Sequence, residues 1–210
     1  MVGLVYVVDD DSSFRRAIER RLKLVGYEVE AYASAEQLLL RLASGGGSGC
    51  ILLDVRMPDL DGLSLQSRLC QLELNLPIIF LTGYADTATI VRAIKAGAED
   101  FLTKPISSIQ LQEAIEQALA HSVVRSSYRS ALEMARAHAK QLTPREQQVF
   151  GMIVRGKINK QIASELGTSV RTIKAHRHQV MEKMHVKSLA ELATVAERLG
   201  VLDQNPLRRA

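Results

Sequence analysis

Three short apolar runs in this 210-residue chain stop abruptly at charged side chains. Val5-Tyr6-Val7-Val8 ends at Asp9 and Asp10, Cys50-Ile51-Leu52-Leu53 ends at Asp54, and Phe101-Leu102-Thr103 ends at Lys104-Pro105. Buried parallel strands read this way when their carboxyl ends open onto a site. Three carboxylates and one ammonium would then meet at one end of a single sheet. Clustered carboxylates repel each other, so such a site calls for a divalent cation bound through oxygen, with the lysine adding positive charge.

The elements that must position these residues recur along the first half. Strand patterns fall at 4–8, 28–32, 50–54, 77–82 and 100–103. Helical patterns separate them, as in Phe14, Ile18, Leu22 and Val25 at i, i+4, i+8 and i+11, with Gly26 placed to end that helix. Strict alternation of strand and helix predicts a parallel sheet covered on both faces. Five such strands with a site at their carboxyl ends predict a flavodoxin-like, doubly wound α/β domain. The run Ser44-Gly45-Gly46-Gly47-Ser48-Gly49 enters a strand, so it reads as a loop and not as a phosphate-binding loop, which would carry Gly-Lys-Ser/Thr into a helix.

Residues 108–140 contain no Gly or Pro, and a stripe runs through Leu111, Ile115, Leu119, Val124, Tyr128, Leu132, Ala135 and Ala139. As one helix this segment would span about 50 Å; the alternative is a terminal helix followed by a fraying helical linker. A new start follows at Thr143-Pro144-Arg145-Glu146, where Thr can cap, Pro suits the first helical position and Glu completes a capping box. That helix should stop at Gly156, a second should run from Lys160 to Leu166, a third from Val170 to about Met184, and a fourth from Ser188 to near Gly200. Four short helices with glycine at two of the breaks predict a small all-α bundle containing a helix-turn-helix.

Charge divides the chain in the same place. Residues 1–120 hold 11 Lys and Arg against 16 Asp and Glu, and residues 121–210 hold 16 against 7. A small basic domain after an acidic one is the electrostatic footprint of a nucleic-acid binder. Two cysteines, Cys50 and Cys70, have no metal-ligand spacing and fit buried apolar positions in a reducing compartment. No apolar run approaches the roughly 20 residues of a membrane span, and the first residues show no signal-peptide pattern, so a cytoplasmic protein without membrane contact is expected.

These residues together resemble a two-component response regulator of the FixJ/NarL type with a LuxR-type helix-turn-helix, in the FixJ-like subgroup with a long helical linker. The resemblance is carried by Val7-Val8-Asp9-Asp10, Leu53-Asp54-Val55-Arg56-Met57-Pro58-Asp59-Leu60-Asp61-Gly62, Leu81-Thr82-Gly83 and Lys104-Pro105. In the second half it is carried by Leu142-Thr143-Pro144-Arg145-Glu146, Asn159-Lys160-Gln161-Ile162-Ala163 and Thr172-Ile173-Lys174-Ala175-His176. It implies a receiver over 1–120, a helical linker over 121–140 and a DNA-binding domain over 141–210. Asp54 would be the phosphoacceptor, a carboxylate nucleophile toward phosphorus. Asp9, Asp10, Asp54 and the backbone carbonyl of Arg56 would hold Mg²⁺ or Mn²⁺, and Lys104 would neutralise phosphoryl charge. Thr82 and Phe101 would form the switch, and Pro105 is a candidate cis proline. Asp11 reads as a helix cap or a contributor near the metal.

The implied output is DNA binding through the helix from Val170, with Lys160, Arg171, Thr172, Lys174, Ala175, His176 and His178 as candidate contacts. His176 and His178, two apart on a helix, do not face each other, which argues against a metal site there. The implied partners are a sensor histidine kinase, promoter double-stranded DNA, RNA polymerase and a second copy of the chain once phosphorylated. The protein is expected to be a transcription factor and not an enzyme, apart from the Mg²⁺-dependent phosphoryl transfer and self-dephosphorylation of its own receiver. Arg56 and Tyr84 flank the site without offering a carboxylate or amide to orient water, so slow self-dephosphorylation is expected. Among rivals, a dehalogenase-like phosphatase would need an Asp two residues after the nucleophile, where Arg56 stands. A quorum-sensing activator would need an aromatic-lined ligand pocket that an acidic α/β site does not provide. An orphan regulator indifferent to phosphate would not need the whole acid set.

Overall fold

A computed structural model describes residues 3–45, 47–83 and 86–202. In chain order the elements are β1 (Leu4–Val8), α1 (Ser12–Leu24), β2 (Glu28–Tyr32), α2 (Ala35–Ala43), β3 (Cys50–Asp54), α3 (Gly62–Gln71), β4 (Ile78–Thr82), α4 (Thr87–Lys95) and β5 (Asp100–Thr103). There follow α5 (Ser108–Lys140), α6 (Pro144–Val154), α7 (Asn159–Glu165), α8 (Val170–Lys183) and α9 (Leu189–Arg198). Internal contacts divide the chain into two compact units that part between Arg125 and Ser126. Residues 108–140 form one helix, the first of the two arrangements their Gly- and Pro-free run allows.

The first unit is built on a five-stranded, all-parallel sheet of order β2-β1-β3-β4-β5. β3 and β4 are buried along their whole length, which is why Cys50-Ile51-Leu52-Leu53 and Ile78-Ile79-Phe80-Leu81 read as continuous apolar runs. Side-chain alternation sends Val5, Val7, Leu52, Ile79 and Leu81 into one core with Ile18, Leu22, Leu111 and Ile115. Tyr6, Val8, Ile51, Leu53 and Phe80 enter the opposite core with Leu38, Leu42, Leu65 and Leu69. The chain doubles back between β1 and β3, and the carboxyl ends of β1, β3 and β5 point toward one edge of the sheet.

Helix starts in this unit are fixed by acidic or hydroxyl caps. The Asp11 carboxylate accepts the backbone N–H groups of Ser13 at 2.8 Å and Phe14 at 3.2 Å, so Asp11 is the N-cap of α1. Asp61 caps α3 through Ser64 N at 2.7 Å. Gly62 follows because there is no room for anything larger. A Cβ there would lie 2.4 Å from the Asp54 carbonyl oxygen and 3.0 Å from the Phe80 ring.

The second unit is helical around one core of Leu142, Val149, Phe150, Ile153, Ile162, Ile173, Val180, Met184, Leu192 and Ala196. The capping box is present: Glu146 N donates to Thr143 Oγ1 at 3.3 Å, and Thr143 N donates to Glu146 Oε2 at 2.8 Å. Glu146 also accepts Lys183 Nζ at 2.7 Å, tying the start of α6 to the end of α8. That ammonium holds the buried Glu146 carboxyl below its ordinary value.

Two stability outcomes follow. Gly62→Ala should destabilise the first unit by about 1–3 kcal/mol through overpacking against backbone, read as a lower urea midpoint. Because the Glu146 pKa is lowered on folding, its pairing contributes stability above the ordinary glutamate pKa and loses it as pH falls through the lowered value. Lys183→Met should therefore lower the thermal midpoint of the second unit at pH 7. The difference from wild type should narrow as pH falls below about 4, and a gap independent of pH would contradict the assignment.

Candidate functional site

The strand ends bring Asp9, Asp54 and Lys104 into direct contact, although 95 and 50 residues separate the lysine from the two acids. Lys104 Nζ donates to Asp9 Oδ2 at 2.6 Å and to Asp54 Oδ1 at 3.0 Å. The other Asp9 oxygen accepts the backbone N–H of Asp11 at 2.9 Å, and the Asp9 carbonyl accepts Arg15 Nη1 at 2.5 Å. The Lys104 backbone is anchored as well, its N–H donating to the Thr82 carbonyl at 2.6 Å, and the Lys104–Pro105 peptide is cis.

Asp9 and Asp54 are buried, whereas Asp10 is exposed. One carboxylate oxygen from each of the three lies within 4.8 Å of the others. Burial raises the Asp54 carboxyl above its ordinary value despite the Lys104 hydrogen bond and charge, and the Asp9 and Asp10 charges push the same way. Burial works to lower the Lys104 pKa, but its bonds to Asp9 and Asp54 outweigh it and hold the ammonium above its ordinary value. Two of the three carboxylates thus share one ammonium in a partly dry setting, and the third adds uncompensated charge. An oxygen-only donor set with a charge deficit of this kind fits a hard divalent cation such as Mg²⁺.

The remaining site residues have distinct placements. Thr82 is buried at the end of β4, in register with Thr103. Phe101 is half-buried on β5 and packs against Phe80, their ring centroids 5.9 Å apart. Arg56 is exposed in the loop two residues beyond Asp54. Tyr84 lies outside the described residues. Asp11 caps α1 through its Oδ1. Phe14, read from its spacing as a core residue of the first helix, has a second contact: the Lys104 ammonium sits 3.9 Å from its ring centroid. Its place one turn after the Asp11 cap was the only local sign of this.

In the second unit, α7 and α8 form the helix-turn-helix. Arg171, Lys174, Ala175 and His178 are exposed and follow i, i+3, i+4, i+7 spacing, so they lie on one stripe of α8. Thr172 is exposed, with its hydroxyl 2.8 Å from Ser169 Oγ at the cap, and Lys160 is exposed on α7. His176 is half-buried and lies off the stripe. Arg177 turns away as well, donating to Asn159 Oδ1 at 2.9 Å and bracing α8 against the start of α7. A stripe carrying Arg, Lys and His beside a small Ala can enter a major groove and meet phosphates at its edges. Among the described residues no helix is long and apolar enough to cross a membrane.

Comparison with known proteins gives matches to both units. Residues 5–116 match the family described as response regulator receiver domain, and residues 140–196 match that of bacterial regulatory proteins, luxR family. The response regulator protein TodT of Pseudomonas putida is 40% identical over 197 residues, covering 94% of this chain and 86% of that protein. The transcriptional regulatory protein FixJ of Bradyrhizobium diazoefficiens is 37% identical over 201 residues, covering 96% and 98%. Among solved structures, the response regulator StyR is similar with a TM-score of 0.81 at 40% identity, covering 94% of this chain and all of that one.

The raised Asp54 pKa has a consequence for stability. A carboxyl whose pKa rises on folding adds stability below its unfolded value and loses it as pH rises through the folded value. Asp54→Asn should therefore raise the thermal midpoint at pH 7 in the presence of a chelator, with the gain vanishing below about pH 4. Calorimetry across that range checks this, and an unchanged or lower midpoint at pH 7 would contradict it.

Proposed function

This chain belongs to the two-component response regulators that carry a LuxR-type DNA-binding domain, and on that premise we propose that its DNA binding is controlled by phosphorylation of Asp54. The protein is a transcriptional regulator and not an enzyme acting on a separate substrate. The observation that carries the proposal is the Lys104 ammonium bridging Asp9 and Asp54 at the carboxyl end of the sheet.

In the proposed reaction a free Asp54 oxygen attacks the phosphorus of a sensor kinase's phosphohistidine. The new O–P bond forms as the P–N bond breaks, and the imidazole leaves with the electron pair. Lys104 already lies 3.0 Å from Asp54 Oδ1, so its positive charge stands beside the carboxylate that receives the phosphoryl group. Mg²⁺ or Mn²⁺ held by Asp9, Asp10, Asp54 and the Arg56 carbonyl would supply further charge neutralisation. Asp9 is fixed by Asp11 N–H and Lys104 together, so it orients the lysine as well as serving the metal.

Phosphate on Asp54 then recruits the Thr82 hydroxyl and frees space that Phe101 can enter. Phe101 has no hydroxyl to satisfy, so this rotation is driven by packing against Phe80 and its neighbours. The surface over 88–110 is remodelled and pairs with a second copy, bringing two helix-turn-helix units to an inverted-repeat promoter site where they engage RNA polymerase. We assign 1–120 to the receiver, 121–140 to a helical linker and 141–210 to the DNA-binding domain, and place the protein in the cytoplasm. Lys174, Ala175 and His178 face the groove, with Lys160, Arg171 and Thr172 toward phosphates. His176, being half-buried, makes the least contact of the set.

Light scattering with Mg²⁺, with and without beryllofluoride, tests the switch. Wild type should pass from monomer to dimer, and Asp54→Asn should remain monomeric. Dimerisation of Asp54→Asn under the same conditions would refute the proposal. Lys174→Ala should keep the switch while weakening promoter affinity by roughly 10- to 100-fold, the order expected for loss of a direct base contact.

A further inference from the structure

Phe14 stands outside the acid cluster, yet its ring covers the lysine ammonium bound within it. The Lys104 ammonium is 3.9 Å from the Phe14 ring centroid while donating to Asp9 Oδ2 at 2.6 Å and Asp54 Oδ1 at 3.0 Å. The lysine side chain is only 19% exposed, so these three neighbours make up much of its surroundings. The ring is itself fixed. The Asp11 carboxylate accepts the Phe14 N–H at 3.2 Å, the Asp9 carboxylate accepts the Asp11 N–H at 2.9 Å, and Phe14 packs against the core beside α1 and α5. The residue that receives the lysine therefore also anchors the turn that presents the ring.

We infer that Phe14 is a positioning residue for phosphoryl transfer, its π face holding the Lys104 ammonium against Asp54. A lysine ammonium has three donors and a flexible four-carbon stem, so two carboxylates alone leave it free to slide between them or out to water. An aromatic face attracts the cation electrostatically and keeps water from it without accepting a strong hydrogen bond. A donor directed toward the ring side can thus be surrendered to an incoming phosphoryl oxygen at little cost, which a water or a third carboxylate in that place would not allow. A Leu or Met would fill the volume but lack the quadrupole.

This inference rests on Asp54 being the phosphoacceptor, and the two can fail separately. Full-length wild type, Asp54→Asn, Phe14→Tyr, Phe14→Leu and Phe14→Met are phosphorylated with phosphoramidate at varied Mg²⁺, and the product is followed by intact mass. If Asp54→Asn gains phosphate like wild type, the phosphoacceptor reading falls, and this inference with it. If it does not, the maximal rate for the Leu and Met variants should drop by about threefold to tenfold, the order of a partly desolvated cation–π contact. The Tyr variant should match wild type, and half-saturating Mg²⁺ should be unchanged in all. The Lys104 methylene resonances next to the ammonium should be ring-current shifted in wild type and Phe14→Tyr only. Wild-type rates in both aliphatic variants, a Tyr variant as slow as they are, a parallel loss of Mg²⁺ affinity or unshifted wild-type resonances would each overturn it. Two aliphatic replacements keep the comparison available if one of them fails to fold.

Discussion

The Lys104 ammonium shared between Asp9 and Asp54 is the interaction on which the first unit's chemistry depends. A buried carboxylate is costly unless a partner answers its charge, and here one cation answers two. The sharing forces the ends of β1, β3 and β5 to converge, which a parallel sheet of order β2-β1-β3-β4-β5 supplies by placing all carboxyl ends on one side. It also leaves a deficit, since Asp10 adds a third carboxylate within 4.8 Å. The site's charge balance therefore favours the arrival of a further cation. Its geometry is held by surrounding backbone bonds: Lys104 N–H on the Thr82 carbonyl and Asp11 N–H on the Asp9 carboxylate.

The same contacts link the site to neighbouring elements. Thr82 ends β4 and its carbonyl accepts from the Lys104 backbone, so a shift in either residue bears on the other. Phe80 and Phe101 are paired across β4 and β5 and pack ring against ring. Glu99, just before β5, accepts from His121 Nδ1 at 2.5 Å and also pairs with Arg125. Those two side chains are four residues apart on α5, so one carboxylate clasps a full turn of that helix to the β5 entry. Both helix side chains are largely exposed, so this pairing is of modest energy.

The second unit uses polar contacts differently. Its short helices are held by caps and by long-range braces, among them Lys183 on Glu146 and Arg177 on Asn159. Both braces take a basic side chain out of the pool available for nucleic acid. Arg171, Lys174 and His178 stay exposed, with Ala175, on one stripe of α8. The basic balance of the second half is therefore a weaker guide to an exposed surface than helix geometry, since of the neighbours Arg177 and His178 the first is spent on Asn159 and the second is exposed.

Sequence alone determined the strands, four of them to the residue and β4 to within one, because buried parallel strands are continuous apolar runs with charged ends. It likewise determined Asp9, Asp10, Asp54 and Lys104 as a set, because acids and a lysine seldom end such runs without a shared purpose. The Thr143–Glu146 capping box was equally legible, being local in sequence. Only the tertiary structure decided that Lys104 bridges Asp9 and Asp54, that Phe14 covers the ammonium and that Glu99 clasps α5. It also assigned Asp11 to a cap and Arg177 to a brace, and made residues 108–140 one helix. Local periodicity reports which face of an element is buried. Which partner lies across from it depends on the packing of segments far apart in the chain, and distances between them are not encoded in any one stretch of residues.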